Sequence, residues 1–509
     1  MKGPVGALVL LLLAIQLASN ACAPSPILDH APDEEAASAS GSAIAIGQSK
    51  DGLDALLDSP EATGALWGIS VRSLATGRTL FQKNGGKLFV PASNMKLFTT
   101  AVALVRLGPD FTYVTNLYAG GPVEKGILAG DLVVRGSGDP TISERFHGRA
   151  EAIFEKWADQ LVQQGIREIR GDLVGDAGLF DDGDLGRGWA WDDELACHSA
   201  RVSALSFNDN CVEVSLSPGS RTGQAPRIAV NPETAYLTIR NQVATSAGKG
   251  TEIVARRRFG SATITLSGRM GEADPPWRIR LAVGNPTLYA VTVLKEVFER
   301  KGIKVEGRAI ARGSDEAAPA YDSMRPLFSH RSAPLARIIE ETNKQSRNLY
   351  AELLFRTLGA AAHGGRGTTE RAIEAMKESL AAMGIPPDSL GIYDGSGLSR
   401  LNLVSPEQVV DLLDYMSTHP YFGYFYRSLP VAGVDGTLVR RMRDTGAEGK
   451  IRAKTGTLAH TVSLSGYLPD RHGRLVAFSI MTNNCLAPPA AIRSLEDAMC
   501  ERLIDTGAR

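Results

Sequence analysis

The chain runs to 509 residues, more than one simple core accommodates, so two to four domains are expected. Hydrophobic residues make up 43% and charged residues 22%, a globular balance that excludes a fibrous or largely disordered chain. Lysine plus arginine number 55 against 56 aspartate plus glutamate, which leaves no basic footprint for nucleic acid and no single-sign field to steer a charged partner.

Met1 and Lys2 precede an apolar run from Val5 to Leu17, and small residues follow at Ala18, Ser19 and Ala21. This is the layout of a secretory signal over residues 1–21, and the run is shorter than the ~20 residues a membrane-spanning helix needs. Cleavage after Ala21 makes Cys22 the first residue, so a lipid anchor with peripheral membrane association is the alternative to simple export. The segment Leu17 to Ala21 is a poor lipidation signal and favours simple export. Residues 22–44, rich in alanine, serine and acid, read as a solvated linker.

A short helix is expected over residues 53–57, then a strand pair, 68–72 and 79–81, joined by the turn Ala75-Thr76-Gly77-Arg78. From Asn94 the period changes. Leu97, Phe98, Ala101, Val102, Leu104, Val105 and Leu107 predict a buried helix that Gly108-Pro109 terminates. From residue 112 to 313 the pattern is mostly short strands separated by turn clusters, among them 113–117, 132–134, 212–216, 228–230, 236–239 and 263–266. Helices return at 335–341, 348–358 and 369–383, and three strands, 450–454, 462–468 and 475–481, precede a helix at 490–504. Helices packed on an antiparallel sheet built from both ends of the chain make an α+β domain interrupted by a long insertion. Cys197 and Cys211 flank a segment ending in the turn-prone Asn208-Asp209-Asn210 and suit a local disulfide; Cys485 and Cys500 either bridge or stay as buried thiols. No cysteine or histidine spacing fits a metal site, and no cofactor is expected.

Three short elements carry chemistry. Ser93-Asn94-Met95-Lys96 opens the buried helix, and residues three apart share a helix face. A serine hydroxyl needs a neighbouring base to act as a nucleophile, and burial at a positive helix end disfavours the lysine ammonium, which makes Lys96 such a base. The alternative is a helix-capping serine beside a solvated lysine. Ser346-Arg347-Asn348 heads another helix, as a cap or as a proton-relaying hydroxyl with a substrate-binding amide. Lys454-Thr455-Gly456-Thr457 ends a strand, where a glycine permits close approach of a ligand backbone and the lysine faces a substrate carboxylate; an ordinary edge strand is the alternative.

Together and in this order, the three resemble the S-x-x-K, S-x-N and K-T-G motifs of penicillin-binding proteins and serine β-lactamases. Ser346 stands 253 residues beyond Ser93, a gap much longer than β-lactamases have. The segments Leu107-Gly108-Pro109-Asp110-Phe111, Gly136-Ser137-Gly138-Asp139-Pro140, Asp394 to Arg400 and Asp435-Gly436-Thr437-Leu438 narrow the resemblance. The chain is similar to the D-alanyl-D-alanine carboxypeptidase/endopeptidase family of low-molecular-mass penicillin-binding proteins. That resemblance implies a transpeptidase-like α+β domain over 45–111 and 314–509, with β-rich inserted domains over 112–214 plus 280–313 and over 215–279. It implies Ser93 as nucleophile, Lys96 as base, Ser346 and Lys454 as proton relay and Asn348 as a substrate-holding amide. The oxyanion hole falls to the Ser93 and Thr457 N–H groups, and substrate binding to Thr455, Gly456, Thr457, Asp193 and Arg400. Asp193 and Arg400 match positions that contact the third residue of a peptidoglycan stem peptide. His198 and Ala459 depart from the aromatic and Gln or Met residues of some relatives, which bears on the preferred third residue and not on the reaction. The implied partners are peptidoglycan stem peptides, with β-lactams as inhibitors, in an extracytoplasmic setting. Two rivals remain. A β-lactamase needs a deacylating Glu-x-x-Leu-Asn element, and here Leu398 stands where that Glu would be, before Leu401-Asn402. A non-catalytic wall-binding protein has no need of Ser93 and Lys96 together.

Overall fold

The strand patterns from the two ends of the chain meet in one sheet. The computed structural model describes residues 51–181 and 185–505; the expected signal, the linker and Cys22 lie outside them. Five antiparallel strands run in the order Arg452–Leu458, Thr461–Pro469, Leu475–Asn483, Leu66–Ser73 and Thr79–Lys83. The two central strands near the chain's end are buried on both faces, because helices cover both sides. One cover is the helix Met95–Leu107, whose residues from 95 to 104 are all buried, together with Leu335–Lys344, Asn348–His363, Thr369–Ala382 and Pro406–Thr418. The other is the final helix Pro489–Asp505, packed through Ile492, Met499, Cys500 and Leu503. Gly108 ends the Met95–Leu107 helix as expected: its φ of 79° suits glycine, and its N–H bonds the Leu104 carbonyl.

The insertion builds its own sheets. One orders Ala309–Arg312, Leu173–Asp176, Leu132–Arg135, Val114–Ala119 and Arg325–Arg331, with mixed directions. Two three-stranded sheets follow, around Cys211–Ser217 and around Thr263–Gly271. Two features depart from the sequence reading. The insertion also contains the helices Ala152–Gln163 and Pro286–Arg300, the first burying Ile153, Phe154, Trp157, Ala158 and Leu161 at helical spacing. The strand Arg325–Arg331 hydrogen-bonds to Val114–Ala119, so the inserted sheet reaches beyond the boundary expected at residue 313.

Cys197 and Cys211 are disulfide-bonded, while Cys485 and Cys500 are buried free thiols. A polar cluster joins insertion and flanking domain. Asp209 is half-buried beside Arg145 (2.6 Å) and Arg280 (3.2 Å), and accepts a hydrogen bond from the Tyr350 hydroxyl at 3.0 Å. Burial pushes the Asp209 carboxyl up, but Arg145, Arg280 and Arg347 outweigh it and bring it down to about 2.

Candidate active site

The Met95–Leu107 helix is entered through a short 3-10 turn, Ala92–Asn94, which carries Ser93. Ala92 has a positive φ of 47° and is fully buried, a conformation held by its surroundings. Asn94 ties the turn to the sheet through Ser465 Oγ at 2.9 Å, and the Pro91 carbonyl accepts from Ser463 Oγ at 2.8 Å. The Ser93 side chain caps no helix, which removes the capping alternative, and it stays half-exposed while Lys96 is wholly buried.

Lys96 Nζ lies 2.9 Å from Ser93 Oγ, 2.6 Å from Asn348 Oδ1 and 2.7 Å from the Ser396 carbonyl. Burial pushes its ammonium down to about 7, against the opposing pull of Asp394 and Glu352. A neutral amine has two N–H bonds and one lone pair. Asn348 Oδ1 and the Ser396 carbonyl can only accept, so they take both N–H bonds and leave the lone pair for the Ser93 hydroxyl. The arrangement can draw a proton from Ser93.

Ser346 has φ 55° and stands just outside the Asn348–His363 helix, whose N-cap is Arg347 without a side-chain cap bond. Its Oγ accepts from Lys454 Nζ at 2.8 Å. The second N–H of Lys454 goes to the Thr455 carbonyl at 2.8 Å, and burial, with Lys96 nearby, holds its ammonium well below the usual lysine range. Lys454 therefore faces Ser346, the residue with which the resemblance pairs it. Asn348 links the second motif to the base. Its Nδ2 donates to the His198 carbonyl at 2.8 Å while its Oδ1 serves Lys96, so both ends of the amide are engaged by the protein.

Gly456 has a reason of its own. A β-carbon there would collide with Ser463 Oγ and come within 2.9 Å of the Pro91 carbonyl and 3.0 Å of the Ser93 nitrogen. The glycine is required by the chain's own close approach, which lays the edge strand Arg452–Leu458 against the serine turn. Thr455 Oγ1 donates to Thr437 Oγ1 at 2.7 Å, and Thr457 Oγ1 accepts from Arg493 Nη2 at 3.4 Å.

Asp193 and Arg400 sit at the margins. Asp193 is half-exposed and 3.6 Å from His198 Nε2, whose carbonyl meets Asn348; the Arg400 guanidinium is exposed and bonds the Ala459 carbonyl just after the third motif. Sequence reasoning missed the layer beneath. Glu352 Oε1 accepts from the Gly395 and Ser396 N–H groups at 3.1 and 2.8 Å, and burial followed by Asp394 raises its carboxyl to about 7. Asp394 accepts from the N–H groups of Gly397 (2.7 Å) and Ser399 (2.6 Å), from Asn402 Nδ2 (2.6 Å) and from the Trp189 indole at 2.9 Å. These two acids hold the loop that delivers the Ser396 carbonyl to Lys96. Trp189 reaches in from the insertion, while Trp191 is 81% exposed.

Comparisons with known proteins give the family and the fold. The D-Ala-D-Ala carboxypeptidase 3 (S13) family model matches residues 49–505. The chain is 36% identical over 470 residues to the D-alanyl-D-alanine carboxypeptidase of Actinomadura sp. (strain R39), covering 90% of this chain and 84% of that protein. It is 27% identical over 422 residues to D-alanyl-D-alanine carboxypeptidase DacB of Haemophilus influenzae, covering 82% and 85%. Its fold is similar to the crystal structure of penicillin binding protein 4 (dacB) from Haemophilus influenzae, with TM-score 0.78, 24% identity, and 89% and 99% of the two chains covered. The chain belongs to the D-Ala-D-Ala carboxypeptidase 3 (S13) family, the serine-type hydrolases that the three motifs and their long interval had indicated.

Proposed function

We propose that Ser93 is the acylated nucleophile of this carboxypeptidase and Lys96 its general base, acting on peptidoglycan stem peptides outside the cytoplasm. The observation that carries this reading is the Lys96 amine, 2.9 Å from Ser93 Oγ with its two other bonds given to pure acceptors. Lys96 takes the hydroxyl proton as Oγ bonds to the carbonyl carbon of the penultimate D-Ala. The oxyanion faces the Ser93 and Thr457 N–H groups, on a turn and an edge strand pressed together at Gly456. The C–N bond then breaks, and the proton reaches the departing amine through Lys454 and Ser346, which are 2.8 Å apart. Water attacks the ester, and the mechanism runs in reverse to release the acid and restore Ser93.

Arg452–Leu458 is the outer strand of its sheet, paired with Thr461–Pro469 on one side and bridged to Val431 only at Arg452 on the other, so an extended peptide can lie along that other side beyond Ala453. We assign reading of the stem peptide's third residue to Asp193, beside His198, and Arg400, beside Ala459. Cleavage of cross-links is the same acyl transfer with a larger amine leaving. Export rests on the charged, apolar and small-residue order of residues 1–21, and a lipid on Cys22 would add membrane attachment. Among the described residues no helix is long and apolar enough to cross a membrane. A related protein, penicillin binding protein 4 from Haemophilus influenzae, has been solved complexed with a β-lactam, which supports the same inhibitor class here.

Intact-protein mass after incubation with benzylpenicillin tests the reading. A stable one-drug adduct is expected on wild type and none on Ser93→Ala. Rapid drug hydrolysis without adduct would instead indicate a β-lactamase, and neither adduct nor hydrolysis a wall-binding protein.

A further inference from the structure

The near-zero charge of the whole chain conceals a division. Residues 215–279 carry eight arginines and one lysine against three glutamates and one aspartate, a net charge of +5 in a chain whose total is −1. Part of that excess collects on one surface. The strands Thr238–Ser246, Thr263–Gly271 and Glu252–Arg257 lie side by side in that order, and their register sets Arg240 and Arg256 opposite Thr265 from either side. Directly opposed residues share a face of the sheet, and the alternate residues take the other. Val243, Ala255, Ile264 and Leu266 fill the inner face and are buried in the insertion's core. Arg240 and Arg256 therefore stand on the solvent face, and Arg258, just past the strand end, is exposed as well. One row of this face is neutral, where Arg269 meets Glu252 at 2.8 Å. Among the described residues Arg240, Arg256 and Arg258 have no carboxylate partner.

Apolar side chains stand among these cations. Val254 is 42% exposed on the same face, two residues from Arg256. Phe259 is 57% exposed in the turn 258–261, which the Ser261 N–H closes on the Arg258 carbonyl at 2.9 Å. The Arg201 guanidinium lies 5.0 Å from its ring centre. A dissolved polyanion supplies an arginine with counter-charge but has nothing for an exposed valine or phenylalanine. A bilayer with acidic headgroups supplies both, phosphates at its surface and the acyl boundary just beneath. A guanidinium keeps its charge at every physiological pH and meets phosphate oxygens two at a time.

We propose that the open face of this three-stranded sheet, with the turn at Phe259, is a docking surface for a membrane carrying anionic phospholipids. The contact needs no lipid on Cys22 and no part of the serine site.

The test is co-sedimentation of the full chain with vesicles of phosphatidylcholine alone and of phosphatidylcholine with about one-third phosphatidylglycerol. All arms carry Cys22→Ser, which removes any lipid anchor. The protein should partition onto the acidic vesicles and not the neutral ones, and lose most of that binding between about 0.05 and 0.5 M salt. Replacing Arg240, Arg256 and Arg258 together by Gln should weaken binding about 100-fold, at about fivefold per cation. Replacing the same three by Lys should retain most of it, and Phe259→Ser should cost about three- to tenfold. Each variant should keep the parent's melting temperature and its acylation by benzylpenicillin. No binding by the parent, equal binding to both kinds of vesicle, or a Gln variant that binds like the parent would each overturn the proposal. An unaffected Phe259→Ser, with polyphosphate beads retained as well as vesicles, would reassign the face to soluble polyanions and overturn it too.

Discussion

Replacing Glu352 by Gln should move the acid limb of the enzyme's pH profile downward. Glu352 and Lys96 are hydrogen-bonded to the two ends of the same residue, the carboxylate to Ser396 N at 2.8 Å and the amine to the Ser396 carbonyl at 2.7 Å. That path sets the charges about 7 Å apart, worth about 2 kcal/mol at an effective dielectric near 20, or about 1.5 pH units. Glu352 itself titrates at about 7, so near that pH only part of its charge is present to be removed. The net expectation is a shift of about 0.5 to 1 unit. Its sign follows from the chemistry: a carboxylate favours the ammonium, so losing it lowers the Lys96 value from about 7. Neutral Lys96 then persists to lower pH. Glutamine keeps an acceptor oxygen for the two loop N–H groups, so the loop should hold its shape. The assay is the second-order rate of benzylpenicillin acylation from about pH 5 to 9, which reports free-enzyme ionisations. A limb that moves upward, or stays fixed while the plateau is preserved, would refute the assignment of Lys96 as base under Glu352's influence.

Two further outcomes follow from the packing. Gly456→Ala should cut acylation by about tenfold or more while circular dichroism stays native, since the added methyl presses on the Ser93 turn and small misplacements are costly; unchanged acylation would show that the turn yields freely. For Asp209, whose folded carboxyl is depressed from 3.8 to about 2, its stabilisation is complete above the higher value and disappears as pH falls through the lower. That is about 2 kcal/mol, so the melting-temperature gap between wild type and Asp209→Asn should be widest near pH 5 and narrow toward pH 2; a constant gap would be incompatible with it.

The three motifs were legible because each is local: a serine and lysine one helical turn apart, a Ser-x-Asn at a helix head, a Lys-Thr-Gly on a strand. The periodicity around Leu97 to Leu107 likewise gave the buried helix and its glycine stop. What the motifs do to one another was not legible. Nothing in the sequence reveals that Asn348 also bonds the His198 carbonyl and Lys96. Glu352 sits one turn along an apolar helix, where its neighbours Leu353, Leu354 and Phe355 mask an acid that matters only through the Asp394 loop. The strand Arg325–Arg331 was missed because its pairing partner lies about two hundred residues earlier. The helix Ala152–Gln163 was readable from its apolar spacing and was passed over among shorter strand-like runs.

The strand Leu66–Ser73 takes its place between Thr79–Lys83 and Leu475–Asn483, and this has a bearing on how the enzyme comes into being. A chain made from its N-terminus has Ser93 and Lys96 early, yet the sheet behind them lacks its middle until residue 483 has emerged. The insertion closes on nearer partners, as Glu252–Arg257 does with Thr263–Gly271, and can settle while synthesis continues. Lys454 and the edge strand arrive almost last. A growing or truncated chain therefore carries a serine without its relay or its oxyanion pocket, and hydrolytic competence appears in one late step of assembly.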